Sequence, residues 1–165
     1  MGGKRGKIFL GMVAGAIWAV LVLWIGKTQV VLPVMTLIPT IMTAFLAPGM
    51  VLMAMIGRIA QRRFFDDESI DGGALAGAAE TDRRVLANTV EQTLLALCIW
   101  PAAAVILGAP GIIITLGLAF IPARLAFWIG YHLSPDLRAF GFAATFYPTV
   151  LLAFWALIGL AQQIG

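Results

Sequence analysis

Five apolar runs, near residues 8–25, 34–59, 85–107, 111–131 and 139–161, constrain the fold more tightly than any other feature of this chain. A helix needs about 20 apolar residues, at ~1.5 Å each, to cross the ~30 Å hydrocarbon layer of a bilayer. No water is present there to satisfy backbone N–H and C=O groups, so a span this continuous must bond within itself as a helix. Composition agrees: 61% of residues are hydrophobic and 12% charged, against about a quarter charged in soluble domains. The expected fold class is all-α, an integral membrane helical bundle forming one compact domain.

The first run follows Lys4, Arg5 and Lys7, as in a secretory signal, yet it exceeds the usual core of about 7–15 residues and lacks a small-residue cleavage site, so it reads as a retained anchor. Gly11 and Gly15 give it a small-xxx-small face suited to close helix packing. Lys4, Arg5 and Lys7 place the N-terminus inside. Alternating crossings then put Arg58, Arg62, Arg63, Arg83, Arg84 and Arg138 on that side, with Lys27 alone outside. In a bacterial inner membrane this is a cytoplasmic N-terminus. Because the basic residues cluster at span ends, the net charge of +3 describes membrane orientation and excludes a nucleic-acid partner. One cysteine, Cys98, and one histidine, His132, exclude an internal disulfide and a zinc cluster.

The links differ. GAPG, at 108–111, is a short turn that makes the flanking spans an antiparallel hairpin, whereas 62–82 is the one long polar stretch and reads as a loop with a marginal helical piece. Thr81 or Asp82 is the expected cap of the third span, and Pro48 and Pro122 predict kinks or local breaks.

The mouth of the third span, RRVLANTVEQTLLAL, carries the most informative polar residues. Arg84, Asn88 and Glu91 are spaced i, i+4, i+7 and form one stripe, which descends about 10 Å into the membrane at ~1.5 Å per residue. A buried carboxylate or amide there costs several kcal/mol unless it faces a partner. Arg124 and Tyr131 on the fourth span and Arg138 before the fifth lie in the same half of the membrane. Two readings follow. Glu91 neutralises Arg124 in a structural polar network, or the arginines, amide and carboxylate form a pocket for a small polar anion beside apolar walls that serve a lipophilic second substrate.

The ordered set RxLANTVEQ, ARLAFWIGY and LRAFGFAATFYP resembles the MAPEG superfamily, the membrane-associated proteins of eicosanoid and glutathione metabolism, over residues 50–165. The resemblance implies a four-helix membrane domain, a homotrimer, and glutathione held between subunits near the cytoplasmic face. Residues 34–165 are then the MAPEG-like domain, with an inside loop at 60–82, and residues 1–33 an additional transmembrane anchor with a short outside link. By the same resemblance Arg84, Asn88, Glu91, Arg124, Tyr131 and Arg138 contact glutathione. Arg138, a guanidinium that would raise the thiolate fraction of a neighbouring thiol, is the candidate catalytic residue, and the resemblance implies that Arg58 or Arg62 supplies a first-helix arginine.

The sequence departs from the pattern at four positions. Ala87 replaces the arginine found before the asparagine in the prostaglandin E synthase type, Phe127 falls where a histidine is common, Ala139 stands at a position proposed to activate the thiol, and Phe142 replaces a tyrosine. The implied function is a glutathione-dependent membrane transferase or peroxidase acting on a lipophilic electrophile. Its rival is a non-catalytic, lipid-binding or scaffolding member. A transporter is disfavoured by the lack of a repeated half. The five tryptophans, His132 and Cys98 read as interfacial or packing residues.

Overall fold

The computed structural model describes residues 3–33 and 36–165; the expected start of the second span at Val34 lies outside the described residues. Among the described residues, five helical segments are long and apolar enough to cross a membrane, as the sequence predicts. In chain order the helices are α1 (Lys4–Thr28), α2 (Leu37–Ala44), α3 (Leu46–Phe64), α4 (Asp67–Ile70), α5 (Gly77–Leu107), α6 (Pro110–Leu133) and α7 (Pro135–Ile164), with α2 and α3 together making the second span. The fold is an all-α integral membrane bundle.

α6 is the central element and touches α1, α2, α3, α5 and α7. Its buried face includes Ile112, Ile113, Leu116, Phe120, Ala123 and Phe127. Trp100 of α5, 2% exposed, packs into this centre. Its ring stacks on Phe45 at 5.5 Å and meets Phe120 edge-on at 6.4 Å, while its Nε1 donates to Thr149 Oγ1 at 3.1 Å. The indole is therefore a core anchor with its one donor satisfied, the condition under which a tryptophan is tolerated in a dry interior. Phe9, Leu10, Ile17, Met53, Leu118 and Phe154 lie on the outside, each more than half exposed. So much exposed apolar surface is compatible with stability when lipid covers it.

Lipid tails are as apolar as the helices, so cohesion depends on close backbone approach rather than on burial from water. α1 runs along α7, the most extensive helix pair in the bundle. At Gly11 a Cβ would collide with the backbone carbonyl of Asp136, and at Gly15 with the Ala143 side chain, so these glycines let the two helices touch. The small-xxx-small face is thus spent within the chain.

Two proline expectations resolve differently. The second span breaks at Phe45, one turn before Pro48. Pro48 has no N–H to offer the Ala44 carbonyl, and that carbonyl faces α6 at Gly117, where the absence of a Cβ admits it. Pro122, by contrast, leaves α6 unbroken, as Pro101 and Pro148 leave α5 and α7.

The 108–111 turn is the expected hairpin. Gly108 takes the left-handed conformation at φ +56°, Ala109 N–H bonds Ala104 O and Gly108 N–H bonds Val105 O, both at 3.3 Å, and α6 opens with Pro110. This is the Schellman closure that glycine permits, followed by a proline where no N–H is needed.

The long polar loop is shorter than the sequence suggests. α3 persists to Phe64 and α5 starts at Gly77, leaving 65–76 with the single turn α4. The expected capping role of Thr81 or Asp82 is corrected accordingly: residues 77–81, GAAET, already form a helical turn, the residue before it is Ala76, and no side chain caps it. Thr81 Oγ1 instead donates back to Gly77 O at 3.2 Å.

Candidate functional site

The ends of α1, α3, α5, α6 and α7 nearest the 65–76 loop carry most of the polar side chains. Two separate groups form there.

The first centres on Arg124, which is fully buried. Its Nε and Nη2 donate to Thr89 Oγ1 at 3.2 and 2.9 Å, Nη2 also to Asn88 Oδ1 at 3.1 Å, and Nη1 to Thr145 Oγ1 at 3.2 Å. The guanidinium also lies 4.0 Å from the centre of the Phe127 ring, a cation–π contact. Thr89 and Thr145 send their own hydroxyl hydrogens to carbonyls of their helices, Val85 O at 2.8 Å and Phe142 O at 3.0 Å. Their lone pairs are thereby left for the arginine. Every acceptor around Arg124 is neutral. Among the described residues no carboxylate lies within ion-pair distance of it. The direct pairing with Glu91 considered from sequence is replaced by a relay: Asn88 accepts from Arg124 and donates through Nδ2 to Glu91 Oε2 at 3.1 Å.

A cavity of about 390 Å³ adjoins this cluster. Asn88, Phe127, Tyr131 and Arg138 give it a polar and aromatic side, and Ala139 and Phe142 an apolar one. The Arg138 guanidinium lies 5.0 Å from the centre of the Tyr131 ring. α6 and α7 are joined by Ser134 alone, and they approach so closely that a Cβ at Gly130 would strike the Arg138 backbone and one at Gly141 the Phe127 backbone. Two glycines thus bring Arg138 and Phe127 to the same opening. A volume of this order lies within the range of small-molecule sites, roughly 300–1,000 Å³.

The structure brings together four of the six residues expected from sequence: Asn88, Arg124, Tyr131 and Arg138. Arg84 and Glu91 lie outside the cavity. Arg84 is 67% exposed and bonds Glu80 through Nε at 3.0 Å, and Glu91 sits on the exposed face of α5. Of the two first-helix arginines considered, Arg58 donates to Gln61 at 2.7 Å and Arg62 belongs to the second polar group. Thr89 and Thr145 went unnoticed in the sequence, although a threonine beside Asn88 in an apolar run was a usable signal. Ile8 and Met12 of α1 also line the cavity, and nothing in a single sequence places one span beside another.

The second group is a clasp around Asp82, which is 2% exposed. Oδ1 accepts from Trp128 Nε1 at 2.7 Å and bonds His132 Nε2 at 2.8 Å, while Oδ2 accepts from Arg62 Nε at 2.6 Å. One carboxylate therefore ties α3, α5 and α6 together, and Trp128 and His132 have a specific task in place of the interfacial one expected.

A family model described as the MAPEG family matches residues 36–158, which takes in α2 through most of α7. The chain belongs to the MAPEG family. No curated protein and no solved structure matches it. The MAPEG match contains Arg124, its threonine and asparagine acceptors, Tyr131, Arg138 and the whole Asp82 clasp, and it leaves α1 outside. Two residues of the cavity wall, Ile8 and Met12, are therefore contributed from beyond the family region.

Proposed function

We propose that the protein is a glutathione-dependent membrane transferase or peroxidase that acts on a lipophilic electrophile. The observation that carries this reading is the buried Arg124 guanidinium, held by neutral acceptors alone beside a cavity that also contains Arg138 and Asn88. A buried cation that meets the carboxylate of Glu91 only through the Asn88 amide favours an anionic ligand. Guanidinium forks pair with carboxylates, of which glutathione has two. Arg138 faces the cavity and is the residue proposed to act on the thiol. A free thiol titrates near ~8.5, and a guanidinium beside it raises the thiolate fraction at neutral pH. Tyr131, held against Arg138, orients the bound peptide.

In a transferase step the thiol proton passes to solvent and the sulfur electron pair forms a C–S bond. The displaced pair leaves with a leaving group or, in conjugate addition, moves to the neighbouring carbon, which takes a proton from water. In a peroxidase step two thiols become one disulfide as a hydroperoxide O–O bond breaks to give alcohol and water. Arg84 and Glu91, on the outward face of α5, reach glutathione once a second copy closes that face, in keeping with a homotrimer. The basic residues orient the chain with its N-terminus and this site on the cytoplasmic side, as in a bacterial inner membrane.

Calorimetric titration of glutathione into the detergent-solubilised protein, beside an Asn88→Ala, Arg138→Ala double variant, tests the reading. Saturable binding that the variant loses is the expected result. A second reading, a lipid-binding or scaffolding member, draws support from the apolar Ala139 and Phe142 beside Arg138; no binding at millimolar glutathione would favour it.

A further inference from the structure

We infer that α1, which lies outside the family region, is a wall of the substrate pocket and that Met12, with Ile8, selects the electrophile by the size of its apolar part. The inference rests on the functional reading above and adds the residues that set its specificity.

The first observation is placement. Ile8 and Met12 line the cavity that holds Asn88, Tyr131 and Arg138. The second is how that placement is enforced. Gly11 and Gly15 bring the α1 backbone onto α7 at Asp136–Phe140 and Ala143–Ala144. On a helix at about 100° per residue, positions 8 and 12 form the stripe adjoining 11 and 15. Once the glycines touch α7, the Ile8 and Met12 side chains overhang the neighbouring face of that helix, where Arg138, Ala139 and Phe142 line the cavity. Ala19, Val22, Leu23 and Gly26 are buried farther along α1, Gly26 against Ile112 and Thr115 of α6, so the overhang is fixed by the length of the helix and not by one contact.

The third observation is chemical division. The cavity has its cation and its amide at Arg138 and Asn88, and a thiol peptide anchored there directs its sulfur toward the remaining surface. Much of that surface is the side chains of Ile8, Met12, Ala139 and Phe142, which offer neither hydrogen bond nor charge. The occupant they fit is the hydrocarbon part of the second substrate. Met12 is 41% exposed and so stands at the rim, where a larger side chain is accommodated without repacking the core. An unbranched thioether is also the apolar side chain that adjusts most readily to ligands of different shape.

The test has two parts. In a Cys98→Ser background, Met12→Cys paired with Ala139→Cys joins under a short bifunctional thiol reagent if α1 covers the cavity; failure to join overturns the inference whatever the activity. The purified full-length protein and its Met12→Trp and Met12→Ala variants are then assayed for conjugation of glutathione with hex-2-enal and dodec-2-enal, alongside calorimetric glutathione binding. Met12→Trp is expected to lower kcat/KM for dodec-2-enal by about tenfold or more while hex-2-enal changes by less than about threefold, Met12→Ala to shift preference toward the longer substrate, and glutathione affinity to stay unchanged. An unaltered ratio of the two substrates in both variants, with glutathione bound normally, overturns the wall and leaves the functional reading standing. Absence of glutathione binding in the unsubstituted protein defeats that reading and the selectivity role with it.

Discussion

Two buried polar groups lie side by side in one half of this bundle, and they are finished differently. Around Asp82 a single carboxylate meets an indole N–H, an imidazole and a guanidinium within 2.8 Å, so its charge and both of its oxygens are answered inside the chain. Around Arg124 a single guanidinium meets two hydroxyls and an amide, so its hydrogen bonds are answered directly while the carboxylate of Glu91 is reached only through Asn88. Both groups tie helices together. The one whose charge is matched directly has nothing left to offer a ligand; the one matched only through an amide shares that amide, Asn88, with the wall of a cavity. The contrast distinguishes a structural clasp from the candidate site by chemistry, although both look the same in a count of buried polar residues.

Breaking the clasp should have the largest effect on stability. Asp82→Asn removes the carboxylate that meets Arg62 Nε and should cost up to about 3 kcal/mol, the low end of the range for stranding one member of a buried pair, because Arg62 keeps part of its side chain in contact with solvent. Thermal unfolding in detergent measures it, and glutathione binding per folded molecule should survive. Replacing Arg124 by Met sharpens the comparison from the other side. Its neutral acceptors are not left charged, so unfolding should shift much less than in Asp82→Asn, while glutathione affinity should fall at least tenfold, about 1.4 kcal/mol; a fall in stability equal to that of Asp82→Asn would make the Arg124 cluster a second clasp. His132→Phe removes one of three bonds to Asp82 and should cost about 1 kcal/mol, read by the same unfolding assay. The smallest effect belongs to Arg84→Ala. Its bond to Glu80 is exposed, so the melting point should not move measurably, and any loss of glutathione affinity would then report a ligand contact completed by another copy.

The sequence carried the spans well because each needs only its own hydropathy to be recognised. It carried their ends poorly. Asp82 looked like a cap since it precedes an apolar run, yet the small and helix-forming residues before it extend α5 by more than a turn. The polar stripe was legible as a stripe, and Asn88, Arg124, Tyr131 and Arg138 do gather. Which way Arg84 and Glu91 faced was not, because a helical stripe has neighbours on two sides and the sequence does not say which side another helix takes. Thr89 and Thr145 escaped notice because threonines inside membrane helices are usually content with their own carbonyls; here they bond those carbonyls and a guanidinium at once. Gly11 and Gly15 announced a contact face on α1, but its partner, α7, lies more than a hundred residues away in the chain.

The Asp82 clasp also has a bearing on how the protein is made. Its partners are spread along the chain: Arg62 precedes the carboxylate, while Trp128 and His132 follow it by 46 and 50 residues. During synthesis the tie between α3 and α5 can close as soon as α5 enters the bilayer, but Asp82 keeps an oxygen in need of donors until the far end of α6 has been made and delivered back to the same side. An α6 delivered in the opposite orientation would carry Trp128 and His132 to the far side, so the carboxylate's remaining bonds reward one orientation of the third span over the other.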